Sequence, residues 1–260
     1  MQRISKNYLS RIAKLKQKKF RDLNQEYLLS GLNVVTAALQ SGKIKVKACF
    51  VREDKEDYLK VLSSWLKNYS DISILLITDR QFRTISDEEN PQGIAILAVK
   101  PEPQPVKSGK IIYLDQINDP GNLGTIIRTA CWFGMSDLLL SPESVDPFQP
   151  KVVRSSAGLI THINIIENAT FPDLEQLKQD QHFMVLATFP DAAYPISQVQ
   201  KSGNQKMIIA FGSEAHGIPE AFEPLIDQKV MIPAAGSGES LNLAISVGIV
   251  LYELSLGKSR

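Results

Sequence analysis

The stretch KIIYLDQINDPGNLGTIIRTACWFGMSDLLLS, residues 110–141, reads as strand, turn, helix and strand in immediate succession. An unbroken apolar run over 110–115 opens into a Gly-punctuated turn, helical spacing takes over across 122–133, and a second apolar run follows at 137–141. Unbroken apolar strands joined through a helix predict parallel strands covered on both faces. On the helix, Ile126, Ile127, Ala130 and Cys131 form the expected core stripe, which leaves Thr125, Arg128, Thr129 and Trp132 on the other face. The planar, permanently charged fork of Arg128 suits a phosphate, with a salt-bridged surface arginine as the alternative. Asn122 serves either a ligand or the helix N-terminus as its cap.

The same alternation continues outward from this unit. A helix is expected near 150–158, a strand over 162–166, a helix over 174–179, strands over 183–188 and 207–211, a short strand over 229–232 and a closing helix. In a parallel sheet of this kind ligands sit beyond the carboxyl ends of the strands. Two further informative stretches lie there. IIAFGSEAHGIPE, residues 208–220, is a buried strand ending in a loop with Gly212, Glu214 and Gly217 ahead of Pro219. Gly212 would let a ligand approach the backbone, and Glu214 would bond a ligand hydroxyl or an arginine, or else cap the next turn. His216 has no second histidine or cysteine near it, which is weak support for acid–base work.

The other stretch, IPAAGSGESLNLAISVGIVLYE at residues 232–253, is a Gly/Ser loop running into a helix that is apolar almost all round and is therefore expected to be buried on most sides. Its first turn carries Ser240 and Asn242, polar groups that need partners, and Ser237 or Ser240 is the expected cap. Ala244 and Gly248 leave a small-residue face on which another helix can pack closely.

Upstream, 27–99 alternates helix and strand as a smaller α/β unit, with helices at 31–40 and 58–67 and strands at 46–51, 72–78 and 93–99. PEPQPVKSGK at 101–110 reads as a semi-rigid linker. Residues 1–21 hold Arg3, Lys6, Arg11, Lys14, Lys16, Lys18, Lys19 and Arg21 without an acid, although the whole 260-residue chain has a formal net charge of only +1. Such a basic arm suits a phosphate backbone, and an organellar transit segment shares its composition. The division expected is a basic arm at 1–21, a substrate-binding domain at 22–100, the linker, and a catalytic domain at 111–260. No apolar run is long enough to span a bilayer and no secretory leader follows the arm, so a soluble, cytoplasmic protein is expected. Cys49 and Cys131 lack metal-ligand spacing, and no metal site is implied. The glycines match neither a GxGxxG fingerprint nor a Walker loop, which disfavours a dinucleotide or nucleoside triphosphate.

Three ordered clusters carry a resemblance. NLGTIIRTA at 122–130, FGSEAHG at 211–217 and IPAAG followed by ESLN at 232–242 resemble the three motifs of the SpoU (TrmH) RNA ribose 2′-O-methyltransferases of the SPOUT superfamily. NPQGI at 90–94, DPFQPKVVRSSAG at 146–158 and LATFPDAAY at 186–194 add to it, so the likeness covers nearly everything beyond the basic arm. The resemblance implies a C-terminal α/β trefoil-knot domain with a mostly parallel sheet, preceded by a small ribosomal-protein-like RNA-binding α/β domain. It further implies S-adenosyl-L-methionine as methyl donor, RNA as substrate with ribosomal RNA ahead of transfer RNA, a homodimer, and no metal or membrane partner. By position, Thr188, Gly212, Ile232 and Leu241 would hold the donor, while Asn122, Arg128, Glu214, Ser240 and Asn242 would form the catalytic end. The alternatives are a tRNA methyltransferase and a catalytically decayed RNA-binding or assembly protein of the same fold. Two departures stand out: Ala234 where the family has IPM, and Ala244 where a serine is common. Ser30 precedes Gly31 where the family often has glutamate.

Overall fold

The computed structural model describes residues 4–69, 72–199, 205–237 and 240–255. Arg3 of the basic stretch and Gly238 and Glu239 of the third motif lie outside them. The chain divides into two compact units, Met1–Glu102 with Asp146–His162, and Pro103–Val145 with Ile163–Arg260. The first contains α1 (Lys6–Lys14), α2 (Lys18–Asn24), β1 (Glu26–Ser30), α3 (Leu32–Ser41), β2 (Val46–Arg52), α4 (Asp57–Leu66), β3 (Ser73–Ile77), α5 (Asp79–Ile85) and β4 (Ile94–Val99). The chain continues through β5 (Lys110–Leu114), α6 (Pro120–Trp132), β6 (Asp137–Leu140), α7 (Pro150–Ser155), β7 (Asn164–Ile166), α8 (Phe171–Gln181), β8 (Met184–Thr188), β9 (Met207–Phe211), β10 (Gln228–Val230) and α9 (Leu243–Ser255). Of these only α7 belongs to the first unit.

The first unit is built on a sheet of order β1-β4-β2-β3, with β4 antiparallel to both neighbours and β2 parallel to β3. Its core joins Phe50, Leu75, Ile77, Phe82 and Leu97 to Ile12 and Leu15. From residue 4 on, the basic N-terminal stretch is folded: α1 buries Ile12, Phe20 of α2 packs against the same core, and Ser5 caps α1 by accepting from the Tyr8 backbone N–H. Helix α5 starts with a reciprocal capping box, Thr78 with Gln81. The sequence pattern does not reveal α1, α2, β1 and α5, each ten residues or fewer, where periodicity has too few turns to register.

Residues 146–162 enter this unit through two ion pairs, Arg154 with Asp87 and the buried Arg21 with Asp146, and through one close approach. Arg21 is 3% exposed, and its Nε and Nη2 donate to Asp146 Oδ2 at 2.9 and 2.5 Å. The remaining Nη1 donates to the carbonyls of Leu15 and Lys16 at 2.7 and 2.9 Å. Gly158 has φ +82°, and a Cβ there would lie 2.5 Å from the Val34 carbonyl oxygen, so α3 can rest on it only because the side chain is missing. A division of the chain into consecutive blocks cannot express this arrangement.

The second unit is a six-stranded sheet of order β10-β8-β9-β5-β6-β7 in which every neighbouring pair is parallel. Strands β5 and β9 are buried along most of their length, as their unbroken apolar runs require. Tyr113 stacks on Phe222 and Phe171 meets Phe222 edge-on, in one cluster with Leu174, Val185 and Ile208. Helices α6 and α9 pack against each other. The Pro-rich segment is pinned at Gln104, whose N–H and carbonyl are both bonded by the Asn164 side chain at 2.9 Å. Burial works to raise the Asp137 carboxyl, but donors from Asn164, Ser108 and Ser136 outweigh it and hold the group below its usual range. Helix α8 extends beyond the expected 174–179 because Thr170 and Asp173 form a capping box.

Among the described residues no helix is long and apolar enough to cross a membrane. Neither Cys49 nor Cys131 forms a disulfide among the described residues, and burial pushes the Cys49 thiol up to about 12. Cys131 is only half-buried, so it is not part of the α6 core stripe; Leu123 and Gly124 complete it instead. Removing Arg21 would leave Asp146 charged, buried and unpaired. Arg21→Ala is expected to destabilise the first unit by about 3–5 kcal/mol, measured by urea unfolding, and a loss under about 1 kcal/mol would contradict that account.

Candidate active site

Three loops converge where the central strands end. Helix α6 begins at Pro120, with Asp119 as its cap accepting from the Asn122 N–H at 2.7 Å. Asn122 is thus inside the first turn rather than at the cap, and its side chain is free for other work. Its Nδ2 donates to Glu214 Oε1 at 2.5 Å, and its Oδ1 accepts from Asn242 Nδ2 at 3.1 Å. Asn242 Nδ2 also lies 3.5 Å from Glu214 Oε1. One residue from each motif therefore meets in a single network.

Asn242 has a second task. Its Oδ1 accepts from the backbone N–H groups of Ala244 and Ile245 at 3.0 and 3.3 Å, so it caps α9. The expected caps, Ser237 and Ser240, do not serve; Ser240 is exposed two residues earlier. Nor does Glu214 cap the turn after it. That turn is closed by Ser213 and Gly217, which exchange backbone bonds of 3.1 and 2.9 Å, while the His216 N–H donates to Ser213 Oγ at 3.1 Å.

This turn by itself requires a glycine at 212. A Cβ on it would sit 2.1 Å from the Gly217 carbonyl carbon, far inside any allowed approach to the chain's own backbone. The glycine lets the loop fold back on the end of β9, which is how Glu214 reaches Asn122. Thr188 ends β8 and donates from Oγ1 to the Ala210 carbonyl at 3.3 Å, tying that strand end to β9. Ile232 follows β10 and is half-buried, and Leu241 is 50% exposed just before α9. Thr188, Gly212 and Ile232 therefore sit at the ends of the adjacent strands β10, β8 and β9.

Arg128 lies on α6 nearly two turns beyond Asn122. It is exposed and makes no ion pair or hydrogen bond with the described residues, so it is not the salt-bridged surface arginine of the alternative. A deeper layer is not legible in the sequence. Tyr113 donates from its hydroxyl to Asp115 Oδ1 at 2.9 Å, and Ser141 Oγ accepts from the Gln116 N–H at 2.7 Å, bracing the loop that leads to Asp119. Burial, followed by the charge of Asp115, raises the Tyr113 hydroxyl far above its usual value. The Asp119–Pro120 pair is the legible signal for the helix start, since proline favours the first helical position.

A wholly parallel sheet with two amides and a carboxylate meeting where its strands end defines an α/β protein, a class in which ligands sit beyond such ends. The SpoU rRNA Methylase family model matches residues 109–252, and the MRM3-like substrate binding domain model matches residues 6–96. The chain belongs to the SpoU rRNA methylase family. It is 30% identical over 241 residues to the 23S rRNA (guanosine(2553)-2′-O)-methyltransferase RlmP of Bacillus subtilis, covering 93% of each chain. It is 31% identical over 250 residues to an uncharacterised tRNA/rRNA methyltransferase of Synechocystis sp., covering 94% of this chain and 89% of that one. Among solved structures, an AdoMet-bound rRNA methyltransferase from Sinorhizobium meliloti superposes with a TM-score of 0.84 at 28% identity, covering 98% and 96% of the two chains.

The two tasks of Asn242 can be separated. Asn242→Ala loses the cap and is expected to cost about 1 kcal/mol in thermal unfolding. Asn242→Asp keeps a capping oxygen, so stability should recover, while its carboxylate cannot donate to Asn122 and faces Glu214 as a like charge. Methyl transfer should stay impaired in both variants, and normal transfer by Asn242→Asp would remove the network from the chemistry.

Proposed function

We propose that this chain is an S-adenosylmethionine-dependent methyltransferase acting on a ribose 2′-hydroxyl of ribosomal RNA in the cytoplasm. The observation that carries this is the meeting of Asn122, Glu214 and Asn242, one from each motif, at the first turn of the helix that also holds the unpaired Arg128. Membership of the SpoU family and the RlmP and S. meliloti relatives support the reaction class and the donor. The unit containing 6–96 holds the RNA, and the unit built on the six-stranded sheet carries out the transfer.

The residues at the strand ends fit the donor. Ile232 and Leu241 offer apolar side chains, and their backbone groups make no hydrogen bond with the described residues. Such groups can recognise an adenine edge while the apolar surface covers its face. When bound, the donor supplies an electrophilic methyl group on a sulfonium. The protein's part is then to hold a weak nucleophile in line, which is chiefly a matter of positioning. Arg128 clamps an RNA phosphate and stabilises charge on the reacting ribose oxygen. Glu214, fixed by two amides, orients Asn122 and Asn242, and Ser240 supplies a hydroxyl.

The protein acts as a homodimer. Trp132 on α6 and Ile245 and Tyr252 on α9 are 80%, 55% and 54% exposed on two helices that pack together. Large apolar side chains left exposed on packed helices suit an interaction surface. The small-residue face of α9 is partly taken up within the chain, since a Cβ added to Gly248 would be 3.7 Å from the Thr129 Cγ2. In sedimentation at micromolar concentration the wild type should run as a dimer and Ile245→Glu as a monomer. A monomeric wild type would end this part of the proposal.

Arg128→Ala should stay folded and bind S-adenosylmethionine with little change, yet lower methyl transfer by about 100-fold or more. Arg128→Lys keeps the charge without the fork and should recover only part of the rate. The test is single-turnover transfer to 23S ribosomal RNA with mapping of the modified nucleotide, beside donor calorimetry on the same sample. Near-normal transfer by the alanine variant would exclude Arg128 from the reaction.

A further inference from the structure

Eight basic residues precede position 22, and the fold sorts those from Arg11 onward into unlike sets. Arg21 is buried on Asp146, and Arg11 donates to Glu26 Oε2 at 2.7 Å. Lys14, Lys16, Lys18 and Lys19 are all exposed and lie within six residues at the turn joining α1 and α2. None of the four is in an ion pair with the described residues. The acids nearest in sequence are already engaged, Asp22 by Lys100 at 2.9 Å and Glu26 by Arg11 and Lys47. Four like charges gathered this closely repel one another, and a polyanion relieves that repulsion.

The turn is also held rigidly. Two of its carbonyls, Leu15 and Lys16, are gripped by the Arg21 guanidinium, which is itself fixed by Asp146. Ile12 and Leu15 anchor its underside in the core. Lysine backbones held in one geometry lose less entropy on binding than those of a disordered tail.

We propose that the α1–α2 turn, displaying Lys14, Lys16, Lys18 and Lys19 and braced by the buried Arg21–Asp146 pair, is the phosphate-binding edge of the RNA-holding unit. The proposal rests on the reading that the protein acts on RNA. It goes further by assigning RNA binding to one folded edge, whose brace at Asp146 lies within the methylase-family match rather than in the substrate-binding match.

The experiment measures binding of the full chain to fluorescent poly(U) across a potassium chloride series. The four-fold variant Lys14→Gln, Lys16→Gln, Lys18→Gln, Lys19→Gln should weaken binding. It should also flatten the slope of log affinity against log salt by about 0.7 for each single-strand phosphate that is no longer neutralised. Lys43→Gln with Lys45→Gln, two lysines ahead of β2, should leave the slope unchanged. Circular dichroism and donor binding report whether each variant is folded, and if the four-fold variant is not, Lys18→Gln with Lys19→Gln replaces it in the same assay. An unchanged slope in the folded turn variant, or an equal change in the Lys43/Lys45 variant, overturns the assignment while leaving the methyltransferase reading intact. A wild type that neither binds nor methylates RNA sinks both. Lysine-dependent binding to phosphatidylglycerol vesicles without RNA binding would overturn it in favour of a membrane surface.

Discussion

The carboxylate of Glu214 accepts from two side-chain amides that come from 92 and 28 residues away along the chain, and the site depends on that meeting. A carboxylate is acceptor-only, whereas an amide both donates and accepts, so the Glu–Asn–Asn order assigns the direction of every bond in the network. Each partner is also held by its own local structure. Asp119 and Pro120 start the helix that carries Asn122, Asn242 is tied to the first turn of α9, and Gly212 allows the Ser213–Gly217 turn that carries Glu214. Polar groups locked on two sides cost little to organise when substrate arrives.

The same pre-arrangement explains why Arg128 stands apart. A guanidinium already paired with Glu214 would have to break that pair before gripping a phosphate. Here the two amides occupy Glu214, and Arg128 has no partner among the described residues. The site thus keeps its negative charge satisfied and its positive charge available.

In the other unit the governing constraint is the buried pair of Arg21 and Asp146. Desolvating two charges is expensive unless the remaining donors are satisfied, and the Arg21 fork meets that condition by bonding the Leu15 and Lys16 carbonyls. The pair joins helices at the start of the chain to a segment more than a hundred residues later. It turns a run of lysines that composition alone reads as a flexible arm into a braced surface.

Much of this was legible in the chain itself. Unbroken apolar runs separated by helical spacing determined the parallel sheet of the second unit, because strands covered on both faces cannot tolerate polar positions. The order of three motifs likewise brought Asn122, Arg128, Glu214, Ser240 and Asn242 into view together. Their partners were decided only by tertiary structure. Which asparagine caps a helix and which reaches a carboxylate depends on backbone directions at loop ends, and a sequence window does not contain them. The same holds for Gly212, needed for its own chain's close approach, for Gly248, which lies beside Thr129, and for residues 146–162, which lie between two strands of one unit yet fold with the other. Local pattern determines which face of an element is apolar; packing between segments far apart in the chain decides what covers it.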